Sequence, residues 1–157
     1  MKRCQQNLTH GAAEKKRKHY KRAKKQKSIK RLREIAWNLL SKIVRLSYAT
    51  NRYATCYTCG RCSDLSEMQA GHAIGGRHNA VLLDESIIRV QCVRCNVFLR
   101  GNYPVFTVRL IREHGIDWWE KKLEESNKVK IYTRTDLENL IESYRERLRG
   151  LEERKVA

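Results

Sequence analysis

Two cysteine pairs, Cys56-Tyr-Thr-Cys59 and Cys92-Val-Arg-Cys95, carry the most specific chemistry in the chain. A Cys-x-x-Cys turn aims two thiolates at one ion, and two such turns complete a tetrahedral site with no open position. The pattern predicts a structural Zn2+ held by Cys56, Cys59, Cys92 and Cys95, tying together two segments far apart in the chain. Cys59-Gly-Arg-Cys62 offers a competing register. Cys56 with Cys59 is preferred, with Gly60 relaxing the turn and Cys62 left free, and Cys4 reads as an unliganded thiol. No signal-peptide core follows Met1-Lys-Arg, and no apolar run approaches the ~20 residues of a membrane span. The expected compartment is therefore a reducing cytoplasm, where six cysteines point to metal rather than disulfides.

Between the knuckles lies Gln69-Ala-Gly-His72-Ala-Ile-Gly-Gly-Arg77-His78-Asn79, and Asn96 follows the second knuckle directly. Hydrolysis of a phosphodiester needs a base near neutrality, which imidazole supplies. It also needs a cation on the scissile phosphate, and a hard ion such as Mg2+ or Mn2+ prefers an oxygen ligand such as the Asn96 amide. Arg77 could hold the phosphate, with His78 and Asn79 as supporting polar groups. Plainer roles stay open: His72 bonded only within its own hairpin, Asn96 capping a short helix, His114 purely structural.

The net charge of +17 is concentrated at one end. Residues 1–33 hold fourteen Lys and Arg against Glu14 alone, a net +13, which leaves +4 for the remainder. The densest stretch (Lys15, Lys16, Arg17, Lys18, Lys21, Arg22, Lys24, Lys25 and Lys27) has no apolar face to insert into a bilayer. A polyanion is its natural partner, because each phosphate neutralised releases a counterion. The arm reads charge and not sugar, so RNA stays open beside DNA.

The elements that must position these groups follow from periodicity and punctuation. Residues 1–12 read as disordered, and the run from Ala13 to Tyr48, free of Pro and Gly, predicts a long helix. Ile29, Leu32, Ala36, Leu39, Ile43 and Leu46 form a heptad-spaced seam along it, favouring packing on its own domain slightly over a homodimer coil. Residues 50–66 read as the first knuckle. Ala80–Leu83 and Ile87–Val90 read as short strands or a hairpin, and Cys95 to Arg100 as a short helix stopped by Gly101-Asn102. Pro104 opens a helix ending at Gly115, and Asp117 is expected to cap the next. Thr135-Asp-Leu-Glu138 matches a capping box, opening a last helix with Leu137, Leu140, Ile141, Tyr144 and Leu148 on one stripe.

Cys-x-x-Cys, Ala-Gly-His, Gly-Arg-His-Asn and Gln91-Cys-x-x-Cys-Asn96, taken together over residues 53–115, resemble the phage NinG (Rap) recombination nucleases. These belong to the wider His-Asn-His, ββα-metal superfamily. The Cys-x-x-Cys-Asn ending is also similar to zinc-containing phage Holliday-junction endonucleases. The resemblance implies an α+β fold: a zinc-stabilised ββα-metal (HNH-like) core with a long basic N-terminal helix and C-terminal helices. It implies His72 as general base on a hairpin and Asn96 as the ligand to one catalytic Mg2+ or Mn2+. Two positions depart from the superfamily pattern. Gly71 stands where many members carry a second metal ligand, and Ile87 stands where the central Asn would brace the loop, a task Asn79 could take over.

The sequence thus divides into a basic arm and long helix (residues 1–50), a zinc-bound nuclease core (51–115) and C-terminal helices (116–157). The expected function is metal-dependent hydrolysis of DNA in phage recombination, on branched or junction DNA, in the host cytoplasm. The alternative is a zinc-containing DNA-binding protein that does not cut, such as a regulator or packaging accessory. Removing the basic arm should lower DNA affinity at low salt. It should also flatten the slope of log affinity against log salt, by about 0.9 for each duplex phosphate that is no longer neutralised. An unchanged slope in a filter-binding titration would reassign the arm to a protein partner.

Overall fold

Ser28 sits in an extended conformation (φ −65°, ψ 157°) and accepts the Arg31 amide through its hydroxyl at 3.2 Å. That side chain satisfies an amide which the first helical turn would leave orphaned. In the computed structural model, which describes residues 26–75 and 79–156, the first helix, α1 (Ile29–Ser47), therefore starts here. The unbroken helix expected from Ala13 is interrupted at 26–28, and its earlier part lies outside the described residues. The helix buries Leu32, Ala36, Leu40, Ile43 and Val44. Leu39 and Leu46 from the predicted seam are only half-buried, because a straight helix drifts away from a strict seven-residue repeat. The covering surface is the last helix, α5 (Arg134–Val156), of the same chain. Lys42 adds an ion pair to Glu152 at 2.6 Å across that contact.

After α1 come three short antiparallel strands, β1 (Ala49–Thr50), β2 (Tyr53–Thr55) and β3 (Cys62–Asp64). Asn51 and Arg52, both at positive φ, make the two-residue turn between the first two. The first knuckle loops out between β2 and β3. A separate antiparallel hairpin pairs β4 (Met68–His72) with β5 (Ile88–Cys92), from Met68 opposite Cys92 to His72 opposite Ile88. Every residue of β5 is buried, and α1 lies against both strands.

The long connection between β4 and β5 differs from expectation. Ala80–Leu83 reads as a strand, yet residues Asn79–Leu82 form a helical turn, α2. With the hairpin closed at His72 and Ile88, this segment has no ladder partner, and a helix is the way to satisfy its backbone locally. Val81 and Leu83 are still buried. Ile87 ends a 3-10 turn, so the strand predicted from Ile87 begins one residue later.

Beyond β5, Arg94–Phe98 winds as a π-helical turn rather than an ordinary short helix. Arg100, Gly101 and Asn102 stop it with three consecutive positive φ angles. Pro104 lies in the first turn of α3 (Tyr103–His114), and Gly115 at φ 90° ends it, as expected. The next helix, α4 (Ile116–Ser126), follows directly from Gly115, so Asp117 lies in its first turn and is not its cap. The capping box is shifted too. Thr133 Oγ1 accepts the Asp136 amide at 3.2 Å, and Asp136 accepts the Thr133 amide at 2.9 Å, two residues before the predicted Thr135–Glu138 pair. The expected stripe holds: Leu137, Ile141, Tyr144 and Leu148 are buried and Leu140 packs beside them. The fold is mixed α+β, its core formed by α1, the β4–β5 hairpin, α3 and α5. No described helix is long and apolar enough to cross a membrane.

Candidate metal centre and the adjoining cleft

The knuckle turn is set by backbone bonds: Gly60 N–H donates to Cys56 O at 2.9 Å, and Cys56 N–H to Arg61 O at 2.8 Å. Gly60 takes φ 76°, the left-handed freedom this turn requires. Tyr57 N–H donates to Val90 O at 2.8 Å and docks the knuckle on β5. As a result the sulfurs of Cys56, Cys59, Cys92 and Cys95 all lie within 4.8 Å of one another. Cys59 and Cys92 are 3.8 Å apart. Tetrahedral thiolates at the usual Zn–S distance of about 2.3 Å would be spaced about 3.8 Å apart. The four cysteines thus fit a structural Zn2+ site, in the predicted register. Cys62 is exposed on β3, outside the cluster.

The four thiols do not share one electrostatic environment. Burial, with help from neighbouring sulfurs, pushes Cys59 up to about 12. Burial also raises Cys56, but hydrogen bonds from the Thr58 hydroxyl and nearby backbone outweigh it and pull that thiol down to about 6. A coordinated divalent ion would override both tendencies, since a coordinating thiol is deprotonated outright.

A buried relay leads from the cluster towards the hairpin. Thr58 Oγ1 contacts Cys56 Sγ at 3.4 Å and accepts from Gln91 Nε2 at 3.1 Å. The same amide nitrogen donates to Gly101 O at 2.8 Å, just past the π-helical turn. Gln91 is fully buried, and its Oε1 takes no hydrogen bond among the described residues. That oxygen presses on Gly71: a methyl group there would lie 2.0 Å from Gln91 Oε1 and 3.0 Å from Asn96 Oδ1. Glycine before His72 is therefore a steric requirement, and a second metal ligand at that position has no room.

His72 and Asn96 face one open cleft of about 520 Å³, shared with Gln69, Gly75, Arg100 and Tyr103. His72 Nε2 lies 3.1 Å from the Leu82 carbonyl, and its ring stacks on Trp37 of α1 with centroids 4.6 Å apart. Asn96 Nδ2 donates to Gln69 Oε1 at 2.6 Å. Arg77 and His78 lie outside the described residues, as do the basic residues from Lys15 to Lys25. Lys27 is exposed, and its carbonyl accepts from Arg134 at 2.8 Å. The family model described as the bacteriophage lambda NinG protein matches residues 1–154.

The chain belongs to the NinG family. The match takes in the basic arm and the last helix, beyond the residues that carried the motif resemblance. No curated protein and no solved structure matches it. In this NinG-family fold, Ile87 is fully buried, and its carbonyl accepts the Ala73 amide at 2.9 Å. The loop is braced by Asp84, which sequence reasoning passed over. Its Oδ1 accepts the Ser86 amide at 3.0 Å and hydroxyl at 2.6 Å, and its Oδ2 pairs with Lys122 at 2.9 Å. Burial opposes ionisation of Asp84, but these partners hold its carboxyl below the usual range. Glu85 adds a two-pronged pair with Arg147 of α5. Asp84-x-Ser86 is a readable Asx-turn pattern; Trp37, Arg100 and Tyr103 carried no comparable local signal.

Gly71→Ala should displace the Gln91 amide and strain the relay, costing about 1–3 kcal/mol as overpacking does, while zinc content stays at that of the wild type. Thermal unfolding beside metal analysis checks this. Unchanged stability would mean that the Gln91–Gly71 contact is not tight.

Proposed function

We propose that this protein is a metal-dependent DNA endonuclease of phage recombination, working in the host cytoplasm, with the His72–Asn96 cleft as its active site. The observation that carries the reading is the bond between His72 Nε2 and the Leu82 carbonyl. A carbonyl only accepts, so Nε2 carries a proton, and whenever the ring is neutral the basic nitrogen is Nδ1. That tautomer suits a general base removing a proton from water. Stacking on Trp37 fixes the plane of the ring.

Asn96 supplies the complementary group. Its Nδ2 is committed to Gln69, which orients the amide and leaves Oδ1 as the atom able to meet a hard cation. Gly71 leaves that oxygen room beside His72. Bound Mg2+ or Mn2+ would supply positive charge at the scissile phosphate and the leaving 3′ oxygen. Arg100 is a further cleft residue suited to a phosphate, a role the sequence also suggests for Arg77 with His78 in support. In this reading β4, β5 and the turn bearing Asn96 correspond to a ββα-metal core, the basic arm holds DNA, and branched DNA is the preferred substrate.

Ile87 favours one other reading. An apolar, fully buried residue at the central Asn position fits a zinc-containing DNA-binding protein that does not cut. Zinc-loaded protein should nick DNA with Mg2+ and not with EDTA. His72→Ala should slow cutting by about 10²–10⁴, the usual value of a general base, with zinc content and DNA binding retained. Asn96→Ala should instead raise the Mg2+ concentration needed and recover partly at high Mg2+. Cutting by His72→Ala at the wild-type rate, or no cutting by wild type, would overturn the endonuclease reading at this site.

A further inference from the structure

The turn that carries Asn96 places large apolar side chains in solvent. Phe98 is 76% exposed, Val97 51% and Leu99 44%. This is not a loose loop. Leu99 N–H donates to Arg94 O and Gly101 N–H to Cys95 O, both at 2.9 Å, and Cys95 belongs to the four-sulfur cluster. The ridge is thus anchored by the metal centre, and at Val97 it becomes a wall of the cleft that holds His72 and Asn96. Apolar groups held rigidly in water beside a functional cleft mark a contact surface.

Charge narrows the occupant. From Ser86 to Arg112 the sequence has five arginines and no Asp or Glu. Arg89 is committed to Glu113 at 3.1 Å, and Arg109 to the Tyr57 carbonyl. Arg94 and Arg100, which flank the ridge, are exposed, and their side chains take no hydrogen bond or ion pair among the described residues. The matching partner is anionic and offers bare apolar faces. Unstacked bases of DNA do both, whereas a continuous duplex hides its base faces in the stack. A second copy placed face to face would bring these arginines against each other.

We propose that Val97, Phe98 and Leu99 form a wedge that stacks against unpaired bases at a DNA branch point, with Arg94 and Arg100 on the adjacent phosphates. The wedge rests on the reading that the cleft receives a phosphodiester, and it supplies the physical means by which branched DNA is told from linear duplex.

The test uses full-length, zinc-loaded protein without added Mg2+. The probes are a four-way junction with 2-aminopurine at the branch point and a linear duplex of the same sequence. Wild type should bind the junction more tightly and change the 2-aminopurine fluorescence. Phe98→Ser should lose roughly five- to a hundred-fold in junction affinity, the range of one base–aromatic stack, along with the fluorescence change. Its duplex affinity and salt slope should stay unchanged, and Phe98→Trp should retain junction binding. Equal junction and duplex affinity in wild type, or equal weakening on both in Phe98→Ser, would overturn the wedge. So would a Phe98→Ser protein that keeps junction binding and changes only its sedimentation, which would assign the ridge to a second copy. Cleavage with Mg2+ is scored separately. A protein that discriminates junctions through Phe98 yet never cuts keeps the wedge and loses the endonuclease reading. One that cuts through His72 regardless of Phe98 does the reverse.

Discussion

Four sulfurs within 4.8 Å of one another are the constraint from which the rest of the candidate site follows. Two come from a loop between short strands, one from the end of β5 and one from the turn beyond it. A two-stranded hairpin is marginal in water, while zinc binding to finger peptides is worth about 10–16 kcal/mol. A bound zinc ion would therefore contribute strongly to holding these pieces together. The Asn96 turn and the apolar ridge both take their position from Cys95.

The clamp reaches one end of the hairpin only. His72 sits opposite Ile88, four residues along the ladder from Met68 and Cys92, about 14 Å at strand rise. Two routes cover that distance. One is the buried relay from Cys56 through Thr58 and Gln91 to Gly71. The other comes from outside the zinc centre: Trp37 stacks on His72, the Leu82 carbonyl orients it, and Asp84 with Lys122 secures the loop that carries Leu82. Elements on either side of the segment bearing the cysteines thus position the cleft residues, and the family match likewise spans nearly the whole chain.

What was legible in the sequence was chemistry fixed by local spacing. The cysteine register, Gly60, Gly115, Pro104 and the stripe of the last helix all depend on neighbours within a few residues. What was not legible depended on long-range fit. Ala80–Leu83 has strand-like composition, but only the closure of the hairpin at His72 decides that it has no strand partner. The capping box moved because Thr133 and Asp136 satisfy the same rule two residues earlier. Gly71 looked like a missing ligand; its reason, the buried Gln91 amide, comes from the opposite strand. Asp84 and Lys122, which brace the loop ahead of Ile87, form a partnership between segments far apart in sequence.

In the endonuclease reading proposed above, zinc clamping the hairpin to the Asn96 turn is what makes the cleft competent. This is tested most directly by single-turnover DNA cleavage with Mg2+, comparing zinc-depleted and zinc-reloaded protein while hydrogen exchange is followed at 68–72 and 88–92. Depletion should abolish cutting and deprotect both strands together, and reloading should restore both. Cutting that persists at the same rate after zinc is gone, or strands that stay protected without it, would contradict the account.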